Sequence, residues 1–249
     1  MIQTQNMPMD KKSLKILITG ASGGIGRELL QLIACDHPDA SITATCYSNL
    51  PVPVPSDTVQ WVQVNLTEED QVKALAEQFD HLDWLINCAG MLHTPHQGPE
   101  KSISQFDADF FQHNFQVNTM PTLLLAKHFA PVMKTSQQGI FATISARVGS
   151  ISDNHLGGWY SYRASKAALN MALKTLSIEW ERTHKGVCVA ALHPGTTDTA
   201  LSEPFQRNVP VDKLFSPSQT AAYLLAVINQ LTARESGHFW AWDGQKIPW

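Results

Sequence analysis

The residues alternate between short unbroken apolar runs and longer stretches in which apolar side chains return every three or four positions. LKILIT (14–19) has strand length, and GIGRELLQLIAC (24–35) carries its apolar residues at helical spacing. SITATCY (41–47), VQWVQVN (59–65) and LDWLIN (82–87) predict the next three strands, with an amphipathic helix over EEDQVKALAEQF (68–79). A long helical stretch follows over 106–134. GIFATIS (139–145) predicts a fifth strand, 159–182 a helix, VCVAALH (187–193) a sixth strand, 217–231 a helix and HFWAW (238–242) a last strand. The proline-rich SNLPVPVPSD (48–57) reads as a surface loop.

Strand–helix alternation of this kind implies right-handed βαβ units and a parallel sheet buried on both faces. The expected fold class is α/β: a single-domain, doubly wound, Rossmann-like parallel sheet of about seven strands, with helices on both faces. The domain is expected to span 14–249, after a loose polar tail over 1–13 (MIQTQNMPMDKKS) that lacks the apolar core of a signal segment.

Composition narrows the function classes. Of 249 residues, 43% are hydrophobic and 16% charged, enough for a sizeable core. A formal charge of -4 offers no basic footprint for nucleic acid. No apolar run approaches the roughly 20 residues of a membrane span. The ten histidines lack metal-ligand spacing, so no metal site is expected. Cys35, Cys46, Cys88 and Cys188 form no CxxC pair, which predicts reduced thiols and a cytoplasmic protein.

The turn ITGASGGIGREL (18–29) joins the first strand to the first helix. Gly20, Gly24 and Gly26 fit T-G-x-x-x-G-x-G, and Gly20, Gly23 and Gly26 also fit T-G-x-x-G-x-x-G. Either spacing lets the backbone approach a pyrophosphate, whose charge the helix N-terminus favours. The second spacing is that of longer sugar-nucleotide epimerases, and the chain leaves little room for their extra C-terminal substrate domain.

GGWYSYRASKAALN (157–170) places Lys166 four residues after Tyr162, on one helical face, whereas Tyr160 has only Ala164 at that distance. An ammonium beside a phenol favours phenolate and suits acid–base work. Ser145 closes the fifth strand, at the sheet edge where ligands bind in open α/β folds, and its hydroxyl is placed to donate to a carbonyl oxygen.

Glycine turn, Ser145, Tyr162 and Lys166 in this order resemble the classical short-chain dehydrogenase/reductases, with similarity from about residue 14 to 249. NCAG (87–90) resembles the family's N-N-A-G, with Cys88 at the second asparagine; YRASK is its Y-x-x-x-K, and HPGTTDT (193–199) its P-G motif. The resemblance extends through the terminal WDGQKIPW (242–249) to the C-factor and Sniffer-type carbonyl reductase branch. It implies hydride transfer between a nicotinamide and a carbonyl or alcohol. Tyr162 is then the acid–base, Lys166 its tuning cation and ribose ligand, Ser145 the carbonyl-polarising hydroxyl, and Asn118, a closer match than Asn114, the holder of a relay water. Cofactor contacts are expected from Gly20, Ser22, Gly24, Ile25, Gly26, Tyr47, Ser48, Asn49, Asn65, Leu66, Asn87, Ala89, Gly90, Tyr162, Lys166, Pro194, Gly195, Thr197 and Thr199.

After the second strand, Cys46-Tyr47-Ser48-Asn49 offers no carboxylate for a ribose 2′-OH and no Arg or Lys for a 2′-phosphate; the absent acid favours NADP over NAD, with Ser48 and Asn49, and Arg27 from the first helix, as the candidate 2′-phosphate contacts. Substrate contacts are expected from 92–102, 149–159 and 196–217, the last carrying Leu201, Phe205, Val209 and Phe215 either as a lid or as residues docking the loop on the core. Ala164, Ala167, Ala168 and Ala172 permit close helix packing, and the resemblance implies a homodimer or homotetramer. A different reading is a C-factor-like signalling protein in which cofactor binding matters more than turnover.

Overall fold

The computed structural model of the chain describes residues 13–48 and 58–249. The expectations for the tail before Ser13, for most of the proline-rich loop and for Asn49 therefore lie outside the described residues.

The chain runs β1 (Lys15–Thr19), α1 (Gly24–Asp36), β2 (Ser41–Cys46), β3 (Val59–Gln63), α2 (Glu69–Ala76), β4 (Trp84–Asn87), α3 (Ala108–Asn118), α4 (Met120–Met133), β5 (Gly139–Ile144), α5 (Tyr160–Thr183), β6 (Val187–His193), β7 (Thr196–Thr197), β8 (Leu214–Phe215), α6 (Pro217–Ile228), β9 (His238–Ala241) and β10 (Lys246–Ile247). Eight strands form one sheet in the order β10-β9-β6-β5-β4-β1-β2-β3. All neighbours in it are parallel except β9 and β10. The sheet is doubly wound as expected, with one more strand than the seven predicted. The extra strand, β10, is only two residues long, too short for a periodicity to register. The two-residue β7 and β8 pair separately.

Burial on both faces explains why the strands read as continuous apolar runs. Ile16 and Ile18, Ile140, Ala142 and Ile144, and Cys188, Ala190 and Leu192 pack with α1 and α6 on one side. Leu17, Phe141, Val187, Val189 and Ala191 point the other way, onto Leu125 and Phe129 of α4 and Leu169, Leu173 and Trp180 of α5.

The helix expected over 106–134 breaks into α3 and α4 at Thr119. Pro121 accounts for the break: it lacks an N–H to continue the ladder, and its ring clashes with the carbonyl four residues back. Asn118 thereby becomes the last residue of α3, 2% exposed beside the sheet edge.

The strand order reverses between β1 and β4, whose C-terminal residues Thr19 and Asn87 are paired. Open α/β sheets leave a crevice outside their strand ends at such a point. The glycine turn, the 87–90 segment, Ser145 and the 193–199 segment all emerge along this edge.

Candidate active site

A cleft of about 760 Å³ runs along the C-terminal strand edge. Of the predicted residues it is lined by Gly24, Ile25, Gly26, Ala89, Gly90, Ser145, Tyr162, Lys166, Pro194, Gly195, Thr197 and Thr199. One end is the β1–α1 turn. Gly20 there has φ +66, in the left-handed region open to glycine. Gly23 caps α1 in extended conformation with no side-chain hydrogen bond, and no acidic residue occupies the first turn. The helix thus presents its amide groups and positive dipole end with neither a capping side chain nor a first-turn acid, which fits a phosphate-bearing ligand.

The other predicted cofactor residues among those described do not line this cleft. Asn87 ties the strand ends together: its Oδ1 accepts from Thr19 Oγ1 at 2.7 Å and from the Ala89 N–H at 3.0 Å, and its Nδ2 donates to Thr122 Oγ1 at 3.0 Å. Asn65 Oδ1 accepts from the backbone and hydroxyl of Thr67 at 3.1 and 2.9 Å, closing the turn into α2. Leu66 is buried, and Ser22, Tyr47 and Ser48 are exposed.

At the centre, Lys166 Nζ lies 5.9 Å from the Tyr162 ring centroid and donates to the Ile144 carbonyl at 3.0 Å. Both side chains are buried, Lys166 at 3% and Tyr162 at 7% exposure. Burial pushes the Lys166 ammonium down to about 8 and the Tyr162 phenol above its ordinary value. The expectation that Lys166 lowers the Tyr162 pKa is thus opposed, in the protein alone, by desolvation. Tyr160, by contrast, is 40% exposed.

Ser145 follows the last residue of β5, and its N–H still joins the ladder through the Leu192 carbonyl at 2.7 Å. Its hydroxyl donates to Asn170 Oδ1 at 2.6 Å. Asn118 clasps Met91 from both sides, accepting from its N–H at 2.7 Å and donating to its carbonyl at 2.9 Å. It also donates to Ser165 Oγ at 3.1 Å and Asn114 Oδ1 at 3.3 Å. A Cβ on Gly90 would sit 3.3 Å from both Asn118 Oδ1 and Lys166 Nζ, so glycine leaves that space open between an acceptor and an ammonium.

The outer wall comes from the three expected loops. Leu92, Leu156, Trp159, Leu201, Phe205 and Val209 line it. The Trp159 and Phe205 rings meet edge-on at 5.3 Å, and His93 meets Phe205 at 5.7 Å. Phe215 instead packs on Tyr223 and Trp242, so the 196–217 segment is both wall and dock. Trp159 adopts φ +54, after Gly157 and Gly158 at +63 and +65. Its N–H donates to the Glu100 carbonyl, and the Glu100 carboxylate accepts from the Ser161 N–H at 3.1 Å and from the Ser161 hydroxyl. Sequence reasoning missed Glu100 and Asn170. Glu100 carried no signal, since its partner lies 61 residues away. Asn170 did, as the next member of the i, i+4 row Tyr162–Lys166.

Cys88 and His193 also line the cleft. Burial raises the Cys88 thiol to about 12. Burial, with help from Arg147 and against Asp243 and Asp153, lowers His193 to about 4. All four cysteines are free, and among the described residues no helix is long and apolar enough to cross a membrane.

The chain is 29% identical over 238 residues to the 1-hydroxy-2-glutathionyl-2-methyl-3-butene dehydrogenase of a Rhodococcus species, covering 94% of this chain and 99% of that one. It is 29% identical over 168 residues to the C-signal of Myxococcus xanthus, covering 68% and 93%. The NADPH-bound carbonyl reductase from chicken fatty liver superposes with a TM-score of 0.81 at 25% identity, covering 95% and 94% of the two chains. The carbonyl reductase Sniffer of D. melanogaster has the same fold, with a TM-score of 0.81 at 23% identity over 95% of this chain and all of that one. The short chain dehydrogenase model matches residues 14–210, and the chain belongs to that family of oxidoreductases.

Proposed function

We propose that this protein is an NADP-dependent carbonyl reductase or alcohol dehydrogenase. The observation that carries the reading is the convergence of Ser145, Tyr162 and Lys166 on one cleft whose far end is the uncapped, acid-free N-terminus of α1. When bound in this cleft, a nicotinamide would supply or take up the hydride. Tyr162 exchanges the proton at the substrate oxygen. Its raised pKa keeps it protonated at neutral pH, the form needed for reduction. As that proton leaves, the neighbouring Lys166 charge offsets part of the cost of burying the phenolate. Ser145 polarises the carbonyl. A water in the space left by Gly90, between Asn118 and Lys166, returns the proton.

NADP is favoured over NAD because the described residues that end β2 and follow it, Cys46, Tyr47 and Ser48, carry no acid, and because the chicken carbonyl reductase it resembles binds NADPH. The same reading takes 14–249 as one functional unit, acting in the cytoplasm as a homodimer or homotetramer. The similarity to C-signal favours a second reading, a signalling protein in which cofactor binding rather than turnover is the main role.

Fluorescence titration should give tighter binding of NADPH than NADH. NADPH oxidation should follow addition of at least one member of a panel of 4-nitrobenzaldehyde, acetophenone and 1,4-benzoquinone. Tyr162→Phe should lower kcat by about 10²–10⁴-fold with nucleotide binding intact. Loss of turnover in Tyr160→Phe instead would overturn the assignment, and binding without turnover of any substrate would favour the signalling role.

A further inference from the structure

Asn170 sits two helical turns beyond Tyr162 and one beyond Lys166, 3% exposed. Its Oδ1 accepts the Ser145 hydroxyl at 2.6 Å, while its Nδ2 is buried with no hydrogen-bond partner among the described residues. The arrangement has two consequences. The Ser145 proton is directed at the helix and away from a substrate oxygen in the cleft. An amide N–H pair is left unsatisfied, which is destabilising.

A half-turn of the amide plane removes both at once. The two ends of an asparagine amide are nearly equal in shape, so the turn leaves the heavy atoms where they are. Nδ2 then donates to Ser145 Oγ, and the serine proton is released toward the cleft. Accepting a hydrogen bond also polarises the serine O–H and strengthens it as a donor. The turn leaves Oδ1 without its donor, and an under-satisfied carbonyl is better tolerated than an orphaned N–H. An apolar residue at 170 supports neither orientation, and a carboxylate supports only the first.

We propose that Asn170 is a positioning residue whose amide turns to donate to Ser145, delivering the serine proton to the substrate oxygen. This rests on Ser145 having the role proposed above. No bond is made or broken; one hydrogen bond reverses direction.

The test uses NADPH with whichever panel substrate turns over fastest. Asn170→Asp, an acceptor when ionised, should lower kcat at pH 7.5 by about 10-fold, leaving the KM for NADPH unchanged. Its kcat relative to the parent should recover as the pH falls to 5.5, because the protonated acid donates as the amide does. Asn170→Ala should lower kcat in the parent but not in a Ser145→Ala background, since a residue acting through Ser145 has nothing to act on there. The same loss in both backgrounds would overturn the proposal, as would an Asn170→Asp ratio that is flat with pH. If Asn170→Asp does not fold, the alanine cycle decides alone. Parent-like turnover in Ser145→Ala, or no turnover by the parent, defeats the underlying reading of the site. A deleterious Ser145→Ala beside harmless Asn170 variants defeats this inference only.

Discussion

Lys166 shows what the site costs the fold. Its pKa falls from 10.5 to about 8 on burial. Between those values the unfolded chain holds a proton that the folded chain has lost, so stability rises with pH across that window. Below it the buried ammonium is a net burden, relieved in part by the hydrogen bond to the Ile144 carbonyl. Lys166→Met should therefore raise the thermal midpoint at pH 7 by about 2–4 °C, equivalent to about 1 kcal/mol in a chain of this size. The same change should abolish turnover. An unchanged or lower midpoint would show that the Ile144 hydrogen bond outweighs the burial cost. In the parent, kcat for reduction should fall above about pH 8, as the charge that stabilises the Tyr162 phenolate is lost.

At the level of elements, α5 carries the proposed acid–base pair and is held by contacts remote in sequence. Its N-cap, Trp159, has no side-chain hydrogen bond and a left-handed backbone. Such conformations persist in non-glycine residues only when the surroundings enforce them. Glu100 does so, through its carbonyl to the Trp159 N–H and its carboxylate to Ser161, where the helix dipole favours negative charge. Glu100→Ala should cost about 2 kcal/mol in urea unfolding, the upper range for a lost cap. It should raise KM for the carbonyl substrate more than for NADPH, because Trp159 walls the outer cleft. Equal effects on both constants would show that the clasp only stabilises. Local period and glycine spacing made α5 and its Tyr–Lys pair legible within two residues of their bounds. They hid the break at Thr119, because Pro121 interrupts a stretch whose apolar spacing continues on both sides.

Across the whole molecule, the reversal of strand order at β1 and β4 gathers the glycine turn, the 87–90 segment, Ser145 and the 193–199 segment on one edge. The outward side of α5 has a different character. Ala164, Ala168, Met171, Thr175 and Ile178 follow one another at helical spacing, Met171 and Ile178 being 66% and 53% exposed. Leu123 of α4 is 49% exposed. On the proposal of a homodimer or homotetramer, this face meets its copy, and a charge there would be buried unpaired. Met171→Glu should reduce the sedimenting species to monomers while the fold, followed by circular dichroism, is retained. An unchanged mass would place the contact elsewhere.

Alternation of strand and helix, the glycine turn, and the placing of Ser145 ahead of Tyr162 and Lys166 could all be read from order alone. Each rests on backbone geometry or on spacing within a helical turn, and these are local. Three features belong to the folded state: the upward shift of Tyr162, the Glu100 clasp and the Ser145–Asn170 hydrogen bond. Desolvation depends on everything packed around a group. Both hydrogen bonds join residues 25 or more positions apart, which only closure of the sheet against α5 brings within reach.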